Sequence, residues 1–133
     1  MRFDDCCTPA EAAEAAGSRR EPAAADGRPL VEVLSFDGCP NRDGALELVE
    51  RVARETGVDA RIDVIDVTDD ETARARRFLG SPTILVAGRD VEPGAEERSD
   101  YAVSCRVYRT GDGLRGLPDE IWLRAALAAA AAP

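Results

Sequence analysis

The chain has 133 residues, of which 26 are acidic and 17 basic, with no histidine and a formal net charge of -9. That balance argues against nucleic acid or an anionic membrane as partner, because phosphate binding needs a clustered basic surface. The missing imidazole removes the general base of Ser and Cys triads and the commonest metal ligand, so the usual hydrolase mechanisms are excluded.

Residues 1–29 are rich in Ala, Glu, Arg and Pro and poor in Ile, Leu and Val, so they read as an N-terminal extension that buries little surface. Within it, Thr8, Pro9 and Glu11 compose a capping box for a short helix that Gly17 ends. Residues 30–133 form the folded domain, with a core of Val, Ile, Leu and Ala since only 5% of the chain is aromatic. Leu30 to Phe36 (LVEVLSF) is an apolar, β-branched run that suits a buried strand, and Asp37-Gly38 ends it. From Asn41 to Thr56, Ala45, Leu46, Leu48, Val49, Val52 and Ala53 recur at helical spacing, and Gly57 supplies the stop.

Ala60 to Val67 (ARIDVIDV) reads as a second strand. Thr68 and Glu71 form a second capping box, opening a helix that runs to Leu79 and closes at Gly80. Ile84 to Val86 is a third strand, and after the long polar segment from Gly88 to Ser104, Cys105 to Tyr108 (CRVY) is a fourth. Residues 111–116, rich in glycine, form a turn. Pro118, Asp119 and Glu120 occupy the first turn of a last helix carrying Ile121, Trp122, Leu123 and Leu127, Trp122 being a core residue. The order is β-α-β-α-β-β-α, an α/β domain. No segment has the charge pattern of a signal peptide or the roughly 20 apolar residues of a membrane span, so a cytoplasmic location is expected.

In a reducing compartment, four cysteines are more often catalytic, metal-binding or buried than paired in structural disulfides. Cys39 stands in a short turn between a strand and a helix, beside the unpaired N–H groups that favour a thiolate. Asp37 and Asp43 work against that effect and Arg42 works with it. The simpler alternative is a redox-silent domain that uses its surface only for binding. Cys105 is either a second reactive thiol or a small buried residue. Cys6 and Cys7 are adjacent, and such thiolates make good soft-metal ligands, or else they are incidental to a loose tail. Arg74, Arg76 and Arg77 chiefly complement the end of their helix.

The element order, Cys39-Pro40 after the first strand and Ser81-Pro82-Thr83 before the third together resemble the thioredoxin superfamily over residues 30–130. The resemblance implies a central four-stranded mixed sheet flanked by helices, with Cys39 as nucleophile and Pro82 as a cis-proline that lies against the sulfur. It implies that Phe36, Pro40, Ser81 and Thr83 bind the substrate, with backbone pairing at the proline loop. The substrate implied is a disulfide or an adduct of a low-molecular-weight thiol, and no cofactor is needed. More narrowly, FDGCPN, GSPTILVAGRDV and the CRVY segment are similar to small bacterial thioredoxin-like proteins that carry cysteine or selenocysteine at this position. Some relatives of that group accompany mercury resistance.

Arg42 stands where standard thioredoxins have their second cysteine, so the internal resolving step is missing and Cys105, an N-terminal cysteine or an external thiol takes its place. The alternative function is soft-metal handling, with Cys6 and Cys7 capturing a thiophilic ion and Cys39 with Cys105 receiving it. A non-catalytic interaction module is the third reading.

Overall fold

The computed structural model describes residues 28–131. Cys6, Cys7 and the helix expected at Thr8–Gly17 therefore lie outside the described residues. Strand β1 (Leu30–Ser35) carries apolar residues on both faces, with Glu32 and Ser35 the exceptions, because both faces are covered. Val31 and Val33 pack with Ala45, Val49 and Val52 of helix α1 (Arg42–Thr56) and with Leu123 and Leu127 of helix α3 (Glu120–Ala131). Leu34 packs on the other side with Val67, Ala73 and Phe78.

Strands β2 (Arg61–Asp66), β3 (Thr83–Val86) and β4 (Arg89–Asp90) complete a mixed four-stranded sheet in the order β2-β1-β3-β4. β2 runs parallel to β1, with Leu30 opposite Arg61 and Ser35 opposite Asp66. β3 runs antiparallel to β1, with Val31 opposite Val86 and Leu34 opposite Thr83, and β4 is antiparallel to β3. The sheet and its helices make a mixed α/β domain. Among the described residues, no helix is long and apolar enough to cross a membrane.

α1 stops where its glycine dictates. Gly57 is left-handed at φ 75°, and its N–H and that of Val58 close back on Arg54 O and Ala53 O. Helix α2 (Asp70–Arg76) differs from expectation at both ends. Its cap is Asp69, not Thr68, and the Asp69 carboxylate accepts from the Thr72 N–H at 2.7 Å. Its last turn is closed by Arg77 at φ 57°, so Phe78 and Leu79 leave the helix and enter the core. Burial of a Phe contributes more than three further residues of helix propensity, which explains the early stop.

The Thr72 N–H holds the Asp69 carboxyl below its ordinary value. A depressed carboxyl contributes stability above its unfolded value of about 3.9 and loses it as pH falls through the lower folded value. Asp69→Ala is therefore expected to lower the urea midpoint at pH 7, and the gap to the parent should begin to narrow as pH falls below the unfolded value of about 3.9.

The fourth strand departs from the expectation for CRVY. It is Arg89–Asp90, turned back on β3 by Ala87 and Gly88 at φ 53° and 85°. Cys105 makes only an isolated bridge to Ser81, and Tyr108–Thr110 (β5) pairs with Gly113–Arg115 (β6) as a separate hairpin. α3 opens on Asp119, whose carboxylate accepts from the N–H groups of Gly111 and Ile121. Glu120 is held down to about 2 by Arg51 of α1 and Arg124 of its own helix, tying the two helices together.

Candidate active site

The Cys39 turn grows out of the end of β1. Gly38 at φ 88° folds residues 36–39 back so that the Cys39 N–H reaches Phe36 O at 3.2 Å. A second turn follows, with the Arg42 N–H on Cys39 O at 3.3 Å, and α1 begins there. Asn41 takes the cap position without a side-chain hydrogen bond to the helix. Its carboxamide is pressed against Gly116, where an added Cβ would come within 2.4 Å of the Asn41 nitrogen, so the segment before α3 abuts the turn that carries Cys39. Arg42 reaches across to Asp66, the last residue of β2, at 3.0 Å. Cys39 itself is half-buried, and its thiol is free.

The Ser81–Pro82 peptide is cis. The antiparallel pairing of β1 with β3 ends at Leu34 opposite Thr83, so the residues after β1 and those just before β3 lie beyond the same edge. The proline loop and the Cys39 turn therefore occupy the same end of the sheet. Ser35 and Ser81 are both buried there, and neither hydroxyl finds a hydrogen-bond partner. Thr83 is buried too, its hydroxyl donating to Gly80 O at 2.6 Å.

Cys105 is exposed and free, which corrects its reading as a small buried residue. The physical reason lies in its neighbours. Ser104 O accepts from the Ser81 N–H at 2.7 Å and the Arg106 N–H donates to Ser81 O at 3.0 Å. On such an extended segment alternate side chains face opposite ways, so burying Arg106 turns Cys105 outward. The Arg106 guanidinium binds Asp90 at 2.8 and 3.2 Å, Glu92 at 2.6 Å and the Thr83 hydroxyl at 2.9 Å. It also lies 4.3 Å over the Tyr108 ring, whose hydroxyl donates to Pro82 O at 2.5 Å. Burial pushes the Tyr108 phenol well above its ordinary range, so it stays protonated as that donor.

The Arg106, Asp90, Glu92 and Tyr108 cluster was not anticipated from the sequence. Its only signal is the two-residue spacing of Arg106 with Tyr108 and of Asp90 with Glu92, on segments that alternate. Trp122 is only partly buried and pairs with Tyr108, ring centres 6.3 Å apart. Of the Arg74, Arg76, Arg77 group, Arg76 faces Glu32 at 3.6 Å and Arg77 closes α2.

An apolar groove of about 630 Å³ between β4 and α3, lined in part by Val91, Trp122 and Ala126, adjoins Ala87 at the far end of β3 from Pro82. Among the described residues, no group of three or more Cys, Asp or Glu is placed to hold a metal ion. Compared with protein families, curated proteins and solved structures, the chain finds no match in any of the three.

Proposed function

We propose that this chain is a thioredoxin-like protein of the cytoplasm that exchanges disulfides through the single thiol of Cys39. The observation that carries this reading is the placement, at one end of the sheet, of the half-buried Cys39 turn, the start of α1 and the Ser81–Pro82 loop. The strand order β2-β1-β3-β4, with β2 parallel and β3 antiparallel to β1, supports it as well, being compatible with a thioredoxin-like core.

The chemistry needs no cofactor. The Cys39 thiolate attacks one sulfur of a disulfide, a new S–S bond forms, and the other sulfur leaves as a thiolate. Position 42 carries Arg, so an external low-molecular-weight thiol attacks the outer sulfur of the mixed disulfide and Cys39 leaves as thiolate. That attack joins the external thiol to the outer sulfur as a new mixed disulfide; a second external thiol attacks the external thiol's sulfur there and releases the remaining substrate thiolate, so that two external thiols are oxidised to one disulfide for each disulfide reduced. The test is turnover of bis(2-hydroxyethyl) disulfide by glutathione, read as release of 2-mercaptoethanol. Acceleration above the protein-free rate supports the proposal, and no acceleration refutes it.

The charge around Cys39 makes a second outcome specific. Asp37 lies in its turn, Asp43 in the first turn of α1, and Arg42 is already neutralised by Asp66. A neutral reagent should therefore alkylate Cys39 faster than an anionic one. The ratio of iodoacetamide to iodoacetate rates, each divided by its rate on a free small thiol, is expected to be about 3 to 10 at low salt and to approach 1 in 1 M salt.

A further inference from the structure

β1 is paired on both sides, by β2 and by β3, so no extended chain can add beside it. At the sheet end where the Cys39 turn leaves β1, the Ser81 step just before β3 is backbone that a polypeptide substrate reaching Cys39 could pair with. Pairing of that kind supplies affinity through open main-chain N–H and C=O groups. At Ser81 both groups are already taken, by Ser104 O and by the Arg106 N–H, and the next carbonyl, that of Pro82, is taken by the Tyr108 hydroxyl.

The strap from 104 to 108 is not free to lift away. Arg106 is 1% exposed and is gripped by two carboxylates, and a Cβ on Gly80 would come within 2.9 Å of the Arg106 Cβ, so the two segments are in close contact. Releasing the strap would strand Asp90 without its cation, leave Glu92 with Arg98 alone at 3.7 Å, and leave the Ser81 and Pro82 groups unpaired.

We propose that this strap determines the substrate class of the Cys39 site: it occupies the backbone positions that a polypeptide would use, and so restricts exchange to low-molecular-weight disulfides. The inference rests on the reading of Cys39 as an exchanging thiol.

The test uses the full chain with Cys105→Ser, which removes the exposed second thiol of the described region. Two disulfides with the same leaving group are offered: bis(2-hydroxyethyl) disulfide, and a ten-residue extended peptide whose central cysteine carries a 2-mercaptoethanol mixed disulfide. The rate of modification of Cys39 is read by mass spectrometry, each divided by the rate on free glutathione. The small disulfide is expected to react at least about tenfold faster. Equal rates, or a faster peptide, overturn the inference while leaving disulfide exchange standing. If Cys39 reacts with neither, the exchange reading itself fails and the inference falls with it.

Discussion

Arg106→Leu is expected to destabilise the fold by about 3 to 5 kcal/mol, the usual cost of removing one partner from a buried ion pair. The side chain is 1% exposed, and Asp90 and Glu92 around it are 10% and 17% exposed. Leucine fills much of the volume yet leaves Asp90 largely out of water with no cation and Glu92 with Arg98 alone at 3.7 Å, and it leaves the Thr83 hydroxyl without its donor. The face of the Tyr108 ring also loses its cation. Arg106→Lys keeps the charge but cannot form the two-pronged bond to Asp90, so its cost should fall between the parent and leucine. Urea unfolding of the three proteins checks this order. A combined Arg106→Leu, Asp90→Asn, Glu92→Gln protein should recover part of the loss, because it no longer buries unpaired charge. A leucine variant as stable as the parent would mean that the cluster is solvated and that the strap it anchors is loose.

Cys39→Ser is expected to lower turnover of bis(2-hydroxyethyl) disulfide by more than about 100-fold while leaving the unfolding midpoint nearly unchanged. A hydroxyl keeps the shape of the turn, whose bonds are main-chain, Cys39 N–H to Phe36 O and Arg42 N–H to Cys39 O. It cannot act as a nucleophile toward sulfur at neutral pH. Cys105→Ser should retain most of the activity, since an external thiol completes the cycle. The reverse pattern, with activity lost at Cys105 and kept at Cys39, would transfer the chemistry to the strap. Activity insensitive to either would direct attention to Cys6 and Cys7 and to the soft-metal reading.

Much of the sheet and the first helix was legible because each local signal agreed with its tertiary role. The apolar run Leu30–Ser35 is covered on both faces, α1 has its apolar stripe on β1, and Gly57 takes the left-handed angle that ends it. The errors lie where tertiary burial overrode local preference. α2 has helix formers after Arg76, but Phe78 and Leu79 gain more by entering the core. CRVY has the composition of a strand, yet Cys105 makes a single bridge to Ser81 and Tyr108 pairs with Arg115 in the separate hairpin. The true fourth strand is two residues long, too short for any periodicity to announce. Its one sequence cue is the Ala87-Gly88 pair, a weaker hairpin signal than Asn-Gly.

Within the site, the turn at Cys39 and the proline at 82 were legible as punctuation: glycine and proline at strand ends are local features. The Arg106 cluster was not, because its members come from positions 83, 90, 92, 106 and 108 and nothing local pairs them. In isolation Asp90 and Glu92 resemble the many other surface carboxylates of an acidic chain.

The central claim, that Cys39 is the exchanging thiol, is tested most directly by trapping its mixed disulfide. The reduced full chain is incubated with one equivalent of bis(2-hydroxyethyl) disulfide, quenched with acid at short times, digested and mapped by mass spectrometry. The account predicts that the 2-mercaptoethanol adduct appears first on Cys39 and disappears when glutathione is added, regenerating the free thiol. An adduct that forms first on Cys105, Cys6 or Cys7 while Cys39 stays unmodified would contradict it.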